Sequence, residues 1–180
     1  NNTFTYKNFD LTVFINGSLG NKVGNYTKMK LSHMNSAWQN QLADCGGHAI
    51  LTPKDGVKAD NWIYDVTNVV VANPDAAYPR ASINDPSDND AWSDRFIEDG
   101  SYVRLKSITL GYTFDKKLIK KLGLTNLRMT LNATNLLTIT GYDGYDPEIG
   151  VSTTSSNVYG LDNGRYPSPT SFTFGLNVAF

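Results

Sequence analysis

The chain has 180 residues and a net charge of −1, from 16 basic and 17 acidic side chains. With no basic excess to neutralise phosphates, nucleic acid is excluded as a partner. A single cysteine, Cys45, excludes an intrachain disulfide, and the two histidines, His33 and His48, are too isolated for a zinc cluster.

Residues 2–6 read as the end of a strand, with Phe4 and Tyr6 on one face. Lys7 and Asn8 make a two-residue turn, where Asn is the residue that tolerates positive φ. A second strand follows over residues 9–20. Phe9, Leu11, Val13, Ile15 and Leu19 share one side, and Asp10, Thr12, Asn16 and Ser18 share the other with Phe14. The chain opens inside a strand, so a segment of something longer is expected.

Residues 21–98 break the alternation. Within them, residues 26–43 carry Leu31, Met34, Trp38 and Leu42 at spacings of three and four, which predicts a helix whose stripe packs on the body of the protein. The remainder of this connection is rich in Pro, Asp and Asn, yet it holds Trp62 and Trp92, so order is expected.

A third strand spans residues 101–114. Ile108, Leu110, Tyr112 and Phe114 are apolar, but Val103 and Leu105 fall on the opposite parity. Either a β-bulge sits near Lys106 and Ser107, or the first half extends beyond the apolar zone. Residues 115–125 are a short connector, with about one helical turn closed by Gly123. The fourth strand starts at Asn126 and runs to about Leu136, with Leu127, Met129, Leu131 and Ala133 on one side. Residues 141–169 form a second long loop, stiffened by Tyr and Pro. The last strand alternates without a fault: Phe172, Phe174, Leu176, Val178 and Phe180 face one way, small and polar residues the other.

Short and long connections therefore alternate, so one end of the sheet is trimmed and the other carries the elaboration. Outer-membrane barrels are built this way, and strands near ten residues match a tilted bilayer crossing. No apolar run is long enough for a transmembrane helix, which leaves strand crossing open. The fold expected is all-β: about five C-terminal strands of an antiparallel transmembrane β-barrel, with two long extracellular loops, one containing a helix. A soluble β-sandwich that binds glycans is the alternative.

Four stretches carry a resemblance: DRFIEDGSYVRLKSITLGYTF at residues 94–114, NLR at 126–128, NLLTITGYDGYDPE at 135–148, and YGLDNGRYPSP at 159–169. With the Phe-ended last strand, they resemble the SusC/RagA family of TonB-linked outer-membrane transporters. The resemblance implies that residues 1–180 are the C-terminal part of such a barrel, without its plug domain or N-terminal extension. It implies import of a bulky nutrient, an oligosaccharide or a peptide, beneath a SusD-like surface lipoprotein. It also implies energy supplied by TonB through parts outside this chain, and a role for Phe180 in the signal read by the barrel-assembly machinery.

The residues themselves give further expectations. Leu127, Met129, Leu131, Phe172, Phe174, Leu176 and Val178 are expected to face outer-membrane lipid. Trp62, Tyr64, Trp92, Tyr142 and Tyr145 are candidates for contact with cargo or lid, because aromatic faces stack on sugars and anchor interfaces. Paired carboxylates at Asp143, Asp146 and Glu148 have the types for glycosidase work, but Asp beside Gly and Pro is ordinary turn chemistry, and no enzyme is expected. No cofactor is required. Asp88 and Asp90 are calcium candidates, although they lack the glycine and distal glutamate of an EF-hand loop.

Overall fold

The computed structural model describes residues 1–57, 65–148 and 159–180. The elements in chain order are β1 (Asn2–Tyr6), β2 (Phe9–Ser18), β3 (Lys22–Asn25), α1 (Tyr26–Leu31), β4 (Leu51–Pro53) and β5 (Val69–Val71). They continue with β6 (Ile97–Asp99), β7 (Tyr102–Thr113), α2 (Lys116–Ile119), β8 (Asn126–Thr140), β9 (Leu161–Asp162) and β10 (Ser171–Ala179). The chain divides into two compact units, Asn1–Gly24 with Glu98–Phe180, and Asn25–Ile97.

The first unit is organised by an antiparallel five-stranded sheet in the order β1-β2-β7-β8-β10. These are the five strands expected from sequence, and β8 runs four residues past the end expected for it, to Thr140. The register lines apolar residues up in rows. Phe4, Leu11, Leu110, Leu131 and Phe174 form one row, and Tyr6, Phe9, Tyr112, Met129 and Leu176 form the next. Leu127 pairs with Val178, and Ala133 with Phe172. The other face carries Thr12, Thr109, Asn132 and Thr173 in one row, and Asp10, Gly111, Thr130 and Gly175 in another.

The parity break in β7 is a bulge. Pairing with β2 shifts between Phe14 and Ile15, and pairing with β8 shifts between Leu105 and Ser107. Lys106 is the additional residue. It returns Leu105 and Val103 to the apolar face, opposite Leu137 and Ile139. On β8, Asn135 takes φ 50° opposite this point. The side-chain amide of Asn135 donates to the Pro169 carbonyl, and its own carbonyl accepts from the Thr170 hydroxyl.

The apolar face is bare. Phe172 is 70 % exposed, and Phe4, Leu110, Leu131, Phe174, Leu176, Leu137 and Ile139 are exposed with it. Among the described residues no second sheet covers it. A contiguous apolar patch of this kind is rare on a soluble monomer. The buried apolar residues of this unit, Val23, Tyr102, Ile119 and Tyr142, lie away from that face, near the ends of the strands.

The connections segregate as expected. The β1–β2 turn and the connector from Asp115 share one end with Phe180: the Asn8 amide donates to Asp115 at 2.9 Å, and the Thr125 hydroxyl donates to the Phe180 carbonyl at 3.3 Å. In the turn, Lys7 rather than Asn8 carries the positive φ, at 51°. The connector is α2 followed by a tight turn that ends at Gly123, φ 74°, where a side chain would be strained. At the opposite end β3, β6 and β9 form a small sheet with β3 central, and Lys22 pairs with Asp99.

In the second unit the helix is shorter than expected. The side chain of Asn25 caps the N-terminus of α1 by accepting from the Lys28 N–H, and the helix stops at Ser32. The next residues, His33, Asn35 and Ser36, are poor helix formers whose side chains compete for backbone groups. The chain turns back so that the Leu42 N–H donates to the Leu31 carbonyl. The expected packing stripe is lost with the helix, and Trp38 is 96 % exposed. Tyr26 instead stacks on Trp92, whose edge meets Phe96, the buried centre of this unit.

Candidate functional site

Two sets of charges occupy the polar face of the large sheet. Near the short-turn end, Arg128 of β8 clasps Asp10 of β2 with two bonds of 2.6 and 2.8 Å, across the intervening strand. The strand between them presents Gly111, and a Cβ there would collide with both partners. Glycine lets the fork–fork pair lie flat against the backbone of β7, and a larger residue would push the pair aside.

Toward the long-loop end, Arg104 and Lys106 of β7 project to the same face. Residues 141–148 leave β8 and fold back over them as a strap. Arg104 donates to Asp146, to Glu148 at 2.7 Å and to the Thr138 hydroxyl at 2.8 Å, and Lys106 donates to the same Glu148 oxygen at 2.6 Å. Arg104 is only 3 % exposed, so the strap covers a guanidinium whose three nitrogens each donate to a side-chain oxygen. Burial alone would raise the Asp146 carboxyl. The Arg104 hydrogen bond, backbone N–H groups of Ser168 and Glu148, and the Arg104 charge outweigh it and hold Asp146 below its ordinary value.

The strap is anchored again at Tyr142. Its ring packs on Gly144, where no side chain would fit, and its hydroxyl donates to Asp162 of β9 at 2.7 Å. Burial, then the Asp162 hydrogen bond and neighbouring carboxylates, push the Tyr142 hydroxyl far above its ordinary value, so it stays protonated and donating. Asp162 also accepts from the Gly164 N–H at 3.0 Å. Between the strap and residues 162–168 lies a cleft of about 280 Å³, lined by Lys106, Asp146, Glu148, Asp162, Arg165, Tyr166 and Ser168. Arg165 and Tyr166 are exposed at its edge.

The aromatic candidates separate in this geometry. Tyr142 is 6 % exposed and holds the strap, Tyr145 is exposed on it, and Trp92 is exposed on the second unit beside Tyr26. Trp62 and Tyr64 lie outside the described residues. Asp88 and Asp90 are joined by Asp85, all three carboxylates lying within 4.8 Å of one another. Asp146 and Glu148, considered as catalytic carboxylates, are instead the partners of Arg104 and Lys106. Sequence pattern did not find those partners. The available signal was a pair of cations, Arg104 and Lys106, inside an otherwise apolar-and-Thr strand; the bulge near Lys106 was one of two alternatives, and nothing in the spacing showed that residues 141–148 fold back over these cations.

No protein-family model matches the chain. Curated relatives do. TonB-dependent receptor P3 of Formosa agariphila is 34 % identical over the whole chain, and TonB-dependent receptor P26 of the same organism is 30 % identical over 99 % of it. TonB-dependent receptor SusC of Bacteroides thetaiotaomicron is 34 % identical over 51 % of the chain and 8 % of its own length. The chain spans about one sixth of the length of the two Formosa receptors. Among solved structures, the RagAB peptide transporter superposes on 98 % of the chain and 16 % of its own, with a TM-score of 0.67 at 18 % identity, which is a likeness of fold. These relatives are receptors and transporters rather than enzymes, and no helix of the described residues is long and apolar enough to cross a membrane. Together with the antiparallel sheet, they show that the chain belongs to the TonB-dependent receptors, β-barrel proteins of the outer membrane.

Proposed function

We propose that the protein containing this chain imports a bulky nutrient across the outer membrane, an oligosaccharide in preference to a peptide, beneath a SusD-like surface lipoprotein and with energy from TonB. Residues 1–180 contribute strands of its barrel wall. The observation that carries this reading is the division of one sheet into a bare apolar face and a polar face spanned by ion pairs, with nearly all loop mass at one end. Lipid is the solvent that suits the first face, where Leu127, Met129, Leu131, Phe172, Phe174, Leu176 and Val178 lie, and a wet lumen suits the second. Tyr6, Phe9, Tyr112 and Phe114 cluster at the short-turn end, where an aromatic girdle would meet the membrane interface. Phe180 sits at that end, where it would serve in the assembly signal.

The strap narrows the polar face and lines a cleft with hydrogen-bonding groups of both kinds, as a polar cargo needs. Tyr145, Trp92, Trp62 and Tyr64 are the aromatic residues proposed to meet cargo or lid, and Tyr142 holds the strap that carries Tyr145. The import needs no cofactor. Calcium is the ion proposed for Asp85, Asp88 and Asp90, and a rise in thermal midpoint on adding about millimolar calcium, lost in Asp88→Asn, checks it.

The deciding experiment is growth of a strain lacking the full-length receptor, complemented or not, on single oligosaccharides and on peptides. Growth restored on an oligosaccharide, and abolished by loss of TonB or of the lipoprotein, is the expected result. Restoration on peptides alone reassigns the cargo, and restoration without TonB overturns the mechanism.

A further inference from the structure

The second unit contains a cavity that the strap and lumen face do not involve. It encloses about 150 Å³ and is lined by Met29, Lys30, His33, Asn35, Ser36, Gln39 and Asp90. His33 is only 5 % exposed, and neither ring nitrogen has a hydrogen-bond partner among the described residues. Buried polar groups are nearly always satisfied, so an imidazole without a partner, in a residue that lines a polar cavity, marks a place where something else supplies the partner.

The fold holds this imidazole deliberately. The His33 carbonyl accepts from the Gln41 side chain, and the Met34 carbonyl accepts from the Ser82 N–H, so the backbone on either side is fixed. Asn35 donates to Asp90 at 3.0 Å, which holds the amide and the carboxylate together in the wall. Lys30 lines the cavity and sets its ammonium 5.2 Å from the Tyr26 ring centre, and Tyr26 stacks on the exposed Trp92 at 6.0 Å. The cavity is thereby linked through Lys30 to an aromatic platform on the same unit.

We propose that this cavity is a binding subsite for one pyranose unit of a neutral oligosaccharide, with Trp92 offering its face to an adjoining unit. The proposal rests on the oligosaccharide reading given above. Three features select the ligand. The volume is well below the ~300–1,000 Å³ of pockets that take drug-sized molecules, so it suits a single ring. The lining offers amides, a hydroxyl, an imidazole, an ammonium and a carboxylate, which match vicinal hydroxyls that both donate and accept. Only Met29 is apolar, so a hydrophobic peptide side chain finds no pocket, and the lining contains no strand edge for a peptide backbone to extend.

The test uses the full-length receptor in detergent and a panel of methyl pyranosides of gluco, galacto, manno and xylo configuration. Saturation-transfer NMR reads contact and calorimetry reads affinity. At least one glycoside should bind saturably, and His33→Phe and Gln39→Ala should each weaken it about tenfold or more. Gln39 is exposed, so Gln39→Ala should keep its thermal midpoint and guard against misfolding of the His33 variant. Absence of saturable binding by every pyranoside overturns the proposal, as does wild-type affinity in both variants. Binding of a tripeptide that both variants abolish overturns the ligand class. If growth on oligosaccharides is restored by wild type and by both variants alike, the cavity is not a subsite while import stands. If no oligosaccharide restores growth, the cargo assignment itself fails and the subsite falls with it.

Discussion

Arg104 and Glu148 meet at 2.7 Å on the polar side of the sheet, one from near the start of a strand and the other from a loop 44 residues later. Glu148 serves Lys106 with the same oxygen, and Asp146 completes the clasp on Arg104. The loop is thereby fixed over the sheet rather than projecting from its end.

Replacing Arg104 by Leu should release this strap. It leaves Asp146 and part of Glu148 buried against a lost partner, a change of about 3–5 kcal/mol for a buried pair. Lys106→Ala removes a more exposed partner and should cost about 1 kcal/mol or less. Limited proteolysis within residues 141–170 measures both. Equal protection in the two variants would show that the guanidinium does not hold the strap.

Acid should release the same strap, and the direction of the Asp146 shift fixes where. The folded carboxyl is held below its ordinary value, so its stabilisation is complete above the unfolded value of about 3.9 and is lost as pH falls through the lowered folded one. Amide exchange at residues 141–148, corrected for intrinsic rate, should stay flat from neutral pH to about 4 and rise below it. Asp146→Asn should show no such acid step. A step near neutrality in the unmodified receptor would assign the latch to another group.

Phe174 pairs with Leu131 in the middle of the bare face, one row further from the short-turn end than Phe9 and Tyr112. Phe174→Arg should destabilise the barrel by about 2–4 kcal/mol at the bilayer midplane, and little if the face is wet. Reversible unfolding from lipid vesicles distinguishes these outcomes. Thr173→Arg, on the polar face opposite Asn132, is the control and should be tolerated in a water-filled lumen.

Phe180 is exposed at the short-turn end and its backbone carbonyl accepts from Thr125. Deleting Phe180 should reduce the amount of heat-modifiable barrel in outer-membrane fractions while transcript level is unchanged. Undiminished assembly would leave the residue as a plain strand end.

The strands were legible because alternation is a local signal that one buried or lipid-facing side imposes on every second residue. The ends of β7 and β8 were less so: Lys106 slips the parity of β7, and the sequence shows the slip without showing whether the strand continues. The short helix α1 was over-read because Leu31, Met34, Trp38 and Leu42 keep helical spacing while His33, Asn35 and Ser36 between them favour side-chain-to-backbone bonds. The strap was not legible, since its ion pairs join Arg104 to Asp146 and Glu148 through tertiary folding that no spacing encodes. The same carboxylates therefore looked like candidates for chemistry until their partners were known.

The aromatic residues of the loops can be sorted by one further series. Tyr142 is buried and donates to Asp162, so Tyr142→Phe removes a single hydroxyl and leaves Asp162 short of a donor, at about 1–3 kcal/mol. Its effect should appear as strap proteolysis, with cargo affinity changed only through strap order. Tyr145 is exposed, so Tyr145→Ala should leave strap protection and thermal midpoint nearly unchanged, while Trp92→Ala should leave strap protection unchanged but loosen the second unit, where Trp92 packs on Tyr26 and Phe96. What they should lower is uptake, or copurification of the lipoprotein, by the margin expected for an aromatic contact, about 1–3 kcal/mol or roughly five- to a hundredfold. Loss of uptake with the lipoprotein retained assigns a residue to cargo, and loss of the lipoprotein assigns it to the lid. If both Ala variants transport and copurify normally while Tyr142→Phe alone has an effect, the loop aromatics are structural and the contact assignment is withdrawn.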